Sequence, residues 1–149
     1  MRTEPAAGSG VIGAFKVVSV VTVVLFLLQP VLAAQGYWRA ADYPDLINVH
    51  GIVGNAAFLV VIVQCGLALY GMTRHILSPR LALINLAIIV LIVAQIGLGY
   101  TGRESAVAVS WHVPNGVLLF GLAVLNATLA LNRRPIERAK PPLSPIATP

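Results

Sequence analysis

The sequence predicts an all-α protein, an up-down bundle of four transmembrane helices with both termini in the cytoplasm. Its 149 residues are 58% hydrophobic and only 10% charged, and the mean hydropathy is +0.86. This balance is far more apolar than that of a soluble domain. The apolar residues also fall into four long runs, of which the second pair resembles the first. The bundle is therefore predicted to be a tandem two-helix repeat.

The four apolar runs have the length of membrane spans. Each run has roughly 20–27 residues, and about 20 residues cross a hydrocarbon core of about 30 Å. The predicted transmembrane domain is 11–132, with spans at about 11–34, 46–72, 81–100 and 107–131. Residues 1–10 are predicted to be disordered. The basic, proline-rich residues 133–149 are predicted to form a cytoplasmic tail.

The links between the runs carry the signals that end one helix and begin the next. Tyr37, Trp38 and Tyr43 follow the first run, and such aromatic residues favour the membrane–water interface. Pro79 stands where the third helix is predicted to begin, a position that tolerates proline. A cleaved signal peptide is the alternative for the first run, since residues 31–33 resemble a cleavage site. We favour a span, because the repeat makes this run the partner of the third.

The distribution of basic residues predicts the orientation. Most of the positive charge lies before the first span, between the second and third spans, and after the fourth: Arg2, Lys16, Arg74, Arg80, Arg133, Arg134, Arg138 and Lys140. By the positive-inside rule both termini are then cytoplasmic, in a bacterial cytoplasmic (inner) membrane. Because these residues border apolar runs, the net charge of +5 indicates a lipid bilayer as partner and not nucleic acid. The single Cys65 excludes an intrachain disulfide.

One pattern of side chains occurs near the start of both the second and the fourth run. It reads His-x3-Gly-x3-Phe, followed by an amide side chain fourteen residues after the histidine. The two copies are His50, Gly54, Phe58 and Gln64, and His112, Gly116, Phe120 and Asn126. On a helix these offsets share one broad face. An ionisable residue within a span is costly and is by default a functional hypothesis with a partner to be named. Each histidine is the predicted partner of the other.

A second pair of matching segments supports the repeat. These segments are Gln29-x2-Leu32-x3-Gly36 and Gln95-x2-Leu98-x3-Gly102. Two helices per half give both halves the same orientation, so a pseudo-twofold axis runs along the membrane normal. Such an axis brings His50 and His112 face to face at similar depth near the outer face. The paired amides, Gln29 with Gln95 and Gln64 with Asn126, are predicted to form interhelical hydrogen bonds.

Two histidines at matched depth on opposed helices predict the axial ligands of one b-type haem. Gly54 and Gly116 are predicted to let the flat porphyrin approach the backbone, and Phe58 and Phe120 to flank the ring. A six-coordinate iron has no open position for a substrate. Electron transfer near the outer face, to a redox partner that the sequence does not identify, is therefore the preferred function.

Other interpretations stay open beside this one. The chain is alternatively a cofactor-free membrane subunit or transporter component, with His50 and His112 as hydrogen-bonded packing residues. A zinc or copper site needs further ligands, of which the sequence offers few. His75 has no histidine partner on the cytoplasmic side and is expected to be an interfacial residue. A homodimer through Gly- and Ala-rich faces is also compatible with the composition.

With these residues in view, 11–132 resembles one four-helix half of the haem A synthase family. That family is similar in having a histidine at the outer end of the second and fourth helices, the places of His50 and His112. The resemblance implies a haem-modifying oxidase as an alternative function. The chain departs from the family at Gly51, where an arginine usually follows the histidine, and at Asp42 and Asp45, where the family carries a glutamate. The segment from Trp111 to Gly116 also resembles small bacterial four-helix membrane proteins with a His-x3-Gly helix.

Overall fold

The computed structural model describes residues 7–133, and these form four α-helices and no strand. The helices are α1 (Ala7–Trp38), α2 (Leu46–Thr73), α3 (Pro79–Thr101) and α4 (Ala106–Leu131). All four are long and apolar enough to cross a membrane, which confirms the prediction of an all-α protein with four candidate spans. Residues 1–6 and 134–149, the sites of the predicted disordered terminus and cytoplasmic tail, lie outside the described residues.

The helix bounds follow the predicted spans closely except in α1. This helix begins at Ala7, within the segment predicted to be disordered, and continues through Pro30 to Trp38. Proline has no N–H to donate and usually interrupts a helix, yet α1 and α4 each contain one, at Pro30 and Pro114. Neighbouring helices make such positions tolerable in membrane proteins. As predicted, Pro79 is the first residue of α3.

The four helices form a square in which each helix packs against its two neighbours in the chain, with α4 closing the ring against α1. Helices α2 and α4 therefore lie on a diagonal, and none of their described Cα atoms come within 8 Å of one another. Large apolar side chains on the outside of the square are more than half exposed, for example Leu27, Leu59, Val90 and Val117. An outer surface of this kind suits contact with lipid and supports a multi-pass membrane protein.

Two apolar clusters fill the interior, one near each end of the bundle. The cluster nearer the 39–45 and 102–105 loops contains Phe26, Ala57, Val61, Ile88, Ile92, Leu119 and Ala123. The cluster at the opposite end contains Phe15, Ala68, Leu77, Leu81 and Ala130. The small side chains in both clusters allow close approach of the helices, as is usual in membrane bundles.

A polar network separates these clusters and joins all four helices. Its members are Ser19, Thr22, Gln64, Asn85 and Asn126, and each is at most 1% exposed. The Asn85 amide is the centre: its oxygen accepts from Gln64 Nε2 at 2.6 Å, and its nitrogen donates to Asn126 Oδ1 at 2.9 Å and to the Leu81 carbonyl at 2.8 Å. Thr22 donates to Gln64 at 2.7 Å, and Asn126 donates to Ser19 at 3.0 Å. Gln64 and Asn126 do make interhelical hydrogen bonds, but Asn85 bridges them.

The two ends of the bundle differ in charge. Among the described residues every Asp and Glu lies in the 39–45 and 102–105 loops. At the opposite end Lys16 of α1 donates to the Leu131 and Arg133 carbonyls at 3.3 and 3.1 Å. The Arg133 guanidinium donates to the Ile76 carbonyl. These cations satisfy carbonyl groups that a helix C-terminus leaves without partners.

Replacing Asn85 with leucine is expected to lower the free energy of unfolding by about 1–3 kcal/mol, because it leaves the Gln64 and Asn126 amides buried with fewer partners. The measurement is the mole fraction of sodium dodecyl sulfate that unfolds the purified protein. The matched control is Asn55→Leu, which removes an exposed amide bound to the Tyr100 hydroxyl and is expected to change stability by about 0.5 kcal/mol or less. Equal stability of the two variants would contradict a structural role for the network.

Candidate functional site

The structure brings together the two histidines that the sequence singled out. His50 lies in the first turns of α2 and His112 in the first turns of α4, so both are at the end of the bundle that carries the acidic loops. Their ring centroids are 6.2 Å apart and the ring planes meet at 64°. Both side chains are half-buried. Two imidazoles on diagonal helices thus meet across the axis of the bundle.

Each imidazole is held in the same way by the helix that precedes it. His50 Nδ1 lies 3.1 Å from the backbone carbonyl oxygen of Gln29, and His112 Nδ1 lies 3.1 Å from that of Gln95. A carbonyl oxygen only accepts, so both rings carry their proton on Nδ1. In the neutral imidazole the other nitrogen, Nε2, then has a lone pair that can accept a hydrogen bond or bind a metal.

The side-chain amide of Gln95 forms a hydrogen bond with Nε2 of His112. Gln95 Nε2 lies 3.1 Å from His112 Nε2, and Gln95 Oε1 accepts from Asn115 Nδ2 at 2.6 Å. Asn115 Nδ2 also donates to the Leu91 carbonyl at 3.0 Å, so the nitrogen of this amide must face its two oxygen partners. The direction of every hydrogen bond in this group is then fixed, and Gln95 donates to His112.

The corresponding side chain in the first half, Gln29, has different surroundings. Its Nε2 atom is buried and has no hydrogen-bond partner within residues 7–133. Within the same range no group lies at hydrogen-bond distance from His50 Nε2. The predicted hydrogen bond between Gln29 and Gln95 does not form in this structure, since the Gln95 amide is engaged with His112 and Asn115. Both polar atoms of the Gln95 amide thus have hydrogen-bond partners, whereas the amide nitrogen of Gln29 has none within the described residues.

The two glycines of the repeated pattern make room for these amides. A Cβ atom at Gly116 would lie 3.0 Å from Gln95 Nε2, tighter than an ordinary contact. A Cβ atom at Gly54 would lie 3.5 Å from Gln29 Oε1. A third glycine, Gly99 of α3, lies against the imidazole, because a Cβ atom there would be 3.1 Å from His112 Cε1. Close approach of the Gln95 amide therefore accounts for glycine at position 116, whereas the space beside Gly54 would accept a Cβ atom.

The remaining members of the pattern lie deeper in the bundle. Phe58 and Phe120 are partly buried and pack against the apolar cluster around Val61 and Leu119. Gln64 and Asn126 belong to the central polar network, about 21 Å along the helix from the histidines. The repeated amides at this offset therefore serve the interior of the bundle and not the histidine site.

Two arginines at the same end have aromatic and acidic partners. Arg39 pairs with Asp42 at 3.3 Å and stacks over the Tyr43 ring at 4.6 Å from its centroid. Arg103 lies over the Tyr100 ring at 5.6 Å. At the other end of the bundle His75 adopts a left-handed backbone conformation, with φ of 57°, in the turn after α2. His75 is therefore remote from the site.

The site brings together two imidazoles, each of which is a potential metal ligand. Across residues 7–133 no three His, Cys, Asp or Glu side chains lie close enough together to hold a metal ion. Structural zinc sites usually have four protein ligands and catalytic ones three, which is more than these two histidines supply.

Sequence reasoning missed Asn115 and Gly99, and it missed the role of the glutamine backbone. Asn115 is three residues after His112, whereas Val53 is three residues after His50, so the repeat gave no signal for it. The match between Gln29 and Gln95 was the available signal for the carbonyl contacts.

Comparison of the chain with protein-family models, curated proteins and solved structures finds no match.

Gly116→Ala is expected to be less stable than Gly121→Ala by about 1 kcal/mol, because the added methyl group displaces the Gln95 amide from its two partners, His112 and Asn115. At Gly121 an added Cβ meets nothing within 4 Å, and alanine is the better helix former there. Gly54→Ala, with an ordinary 3.5 Å contact, is expected to behave like Gly121→Ala. Unfolding in sodium dodecyl sulfate measures all three. Equal stability of Gly116→Ala and Gly121→Ala would contradict this expectation, because it would show that the Gln95 amide moves aside at no cost.

Proposed function

We propose that the chain is a membrane-embedded b-type haem protein in which His50 and His112 are the two axial ligands, and that it transfers electrons near one face of the membrane. The observation that carries this proposal is the meeting of two Nδ1-protonated imidazoles across the bundle axis, with centroids 6.2 Å apart. The haem A synthase resemblance is compatible with the same two residues.

The distance between the imidazoles agrees with this ligand set. An imidazole nitrogen lies about 2 Å from the metal it binds, so two imidazoles on opposite sides of one iron have centroids about 6 Å apart. The diagonal placement of α2 and α4 matters equally. Because the Cα atoms of these helices stay more than 8 Å apart, side chains and not backbone fill the space between them.

The hydrogen bonds at Nδ1 support metal ligation more strongly than they support simple packing. A histidine that binds a metal usually donates its other N–H to a carbonyl or carboxylate, which fixes the tautomer and makes the ligating nitrogen more basic. Both histidines have this arrangement, from equivalent glutamines. A single histidine with such a contact is common, but two equivalent ones whose rings meet between diagonal helices support a ligand pair.

The surroundings suit one-electron chemistry. When bound, a bis-histidine haem supplies reversible one-electron oxidation and reduction of its iron. Partly buried Phe58 and Phe120 and the apolar cluster beneath them exclude water from the interior side of the site. Arg39 and Arg103 lie at the same end and are the candidates to neutralise propionates, for which Arg39 must exchange its partner Asp42.

The orientation and the tandem repeat belong to the same proposal. The basic, acid-free end of the described bundle favours the cytoplasm, which supports a histidine end that faces outward in a bacterial inner membrane. Matching contacts from Gln29 to His50 and from Gln95 to His112 support a pseudo-twofold relation between the halves. A redox partner is then expected on the outer side.

The test is the reduced-minus-oxidised absorption spectrum of protein purified in detergent after expression with added haem precursor. Sharp low-spin α and β bands are expected in the wild type and in His75→Ala, which changes a histidine outside the site. Both His50→Ala and His112→Ala are expected to lose these bands, because each removes one of two strong-field ligands. A colourless wild type would sink the proposal. Haem that passes readily to apomyoglobin would favour the haem-modifying alternative over electron transfer.

A further inference from the structure

The two halves of the site differ at the third residue after each histidine, and this difference carries an inference that rests on the proposed function. We propose that Asn115 and Gln95 form a latch on His112, so that His50 is the permanent axial ligand and His112 an exchangeable one. The latch is defined as the Asn115 and Gln95 amides together with His112 Nε2. Its consequence is a coordination position, on the His112 side, that a small neutral ligand can enter.

The latch competes directly with the metal. A neutral imidazole has one lone pair, on the nitrogen that carries no proton, and His112 Nε2 already uses it to accept from Gln95 Nε2 at 3.1 Å. Iron can bind His112 only after the Gln95 amide has left. The free energy of this hydrogen bond, and of those that hold Gln95 in place, is therefore subtracted from the affinity of His112 for iron.

Asn115 is what makes the Gln95 amide a strong competitor. It donates to Gln95 Oε1 at 2.6 Å and anchors itself on the Leu91 carbonyl at 3.0 Å. These two acceptors fix Asn115, and Asn115 in turn fixes which end of the Gln95 amide faces the imidazole. Gly116 leaves the space that the amide fills, and Gly99 confines the His112 ring from the α3 side. Contacts from α3 and α4 therefore hold the Gln95 amide and the His112 ring in these relative positions.

The first half has the same glutamine but no latch. Val53 occupies the position equivalent to Asn115, three residues after the histidine, and its side chain cannot donate a hydrogen bond. Gln29 therefore has no equivalent of the Asn115 donor, and its Nε2 atom is buried without a partner in the described part of the chain. His50 keeps its Nδ1 contact to the Gln29 carbonyl at 3.1 Å, so its Nε2 is oriented and unoccupied. His50 is therefore ready to bind, and His112 is held back.

The first experiment needs no haem. Diethylpyrocarbonate reacts with unprotonated imidazole nitrogen, and peptide mapping by mass spectrometry gives a separate rate for each histidine in the folded, haem-free protein in detergent. His112 is expected to react about fivefold more slowly than His50, the factor that one hydrogen bond supplies. Asn115→Val, which copies Val53, is expected to raise the His112 rate towards that of His50 and to leave His50 unchanged.

Two further variants keep this experiment decisive. Asn55→Val removes an amide that contacts the Tyr100 hydroxyl and is no part of the latch, so both rates are expected to stay as in the wild type. Gln95→Met removes the competing amide and keeps the backbone carbonyl that contacts His112 Nδ1. It is the variant to use if Asn115→Val does not fold. Equal wild-type rates, or no change at His112 in a folded latch variant, would overturn the proposal.

The second experiment uses the haem-loaded protein and measures the affinity of the reduced form for carbon monoxide. Asn115→Val is expected to weaken carbon monoxide binding about fivefold, because an unlatched His112 holds the iron better. His112→Ala is expected to retain most of its haem, whereas His50→Ala is expected to lose most of it. Equal retention in these variants would count against the latch. A wild type without haem would refute the proposed function alone, since the carbethoxylation rates test the latch separately.

Discussion

Interhelical hydrogen bonds made by buried polar side chains are the interaction on which this structure depends. Apolar contacts between lipid-embedded helices tolerate sliding and rotation, since one aliphatic neighbour replaces another with little change in free energy. A buried amide has no such freedom, because an unpaired polar group in an apolar interior costs about 1–3 kcal/mol. Asn85 makes this constraint concrete: its two side-chain atoms contact groups on α2, α3 and α4. With Thr22 and Ser19 on α1, the network fixes the height of all four helices.

That common height decides the geometry at the end of the bundle. His50 and His112 are on diagonal helices whose Cα atoms do not come within 8 Å of one another, yet their ring centroids are 6.2 Å apart. The bridge from Gln64 through Asn85 to Asn126 sets the relative level of α2 and α4, and the glutamine carbonyls of α1 and α3 set the orientation of each ring. Stability at the centre and the placement of the imidazoles at the end thus depend on one pattern of interhelical hydrogen bonds.

The two halves share a backbone arrangement but divide the work between them. Gln29 and Gln95 offer equivalent carbonyls to equivalent histidines, whereas the amides of the same residues have unlike environments. These unlike surroundings go with unlike side chains three residues after each histidine, asparagine in the second half and valine in the first.

The sequence by itself determined the four helices and their approximate ends. It also singled out His50 and His112 as a pair. Length and hydropathy are local properties that a lipid environment converts directly into helices. It also singled out Gln64 and Asn126 as interhelical donors, but not Asn85, which joins them. Only the tertiary structure decided that Gly54 and Gly116 accommodate glutamine amides, and that Asn115 reaches Gln95. The reason is physical: spacing along one helix fixes which side chains share a face, whereas the partner of a polar group depends on the rotation and height of another helix.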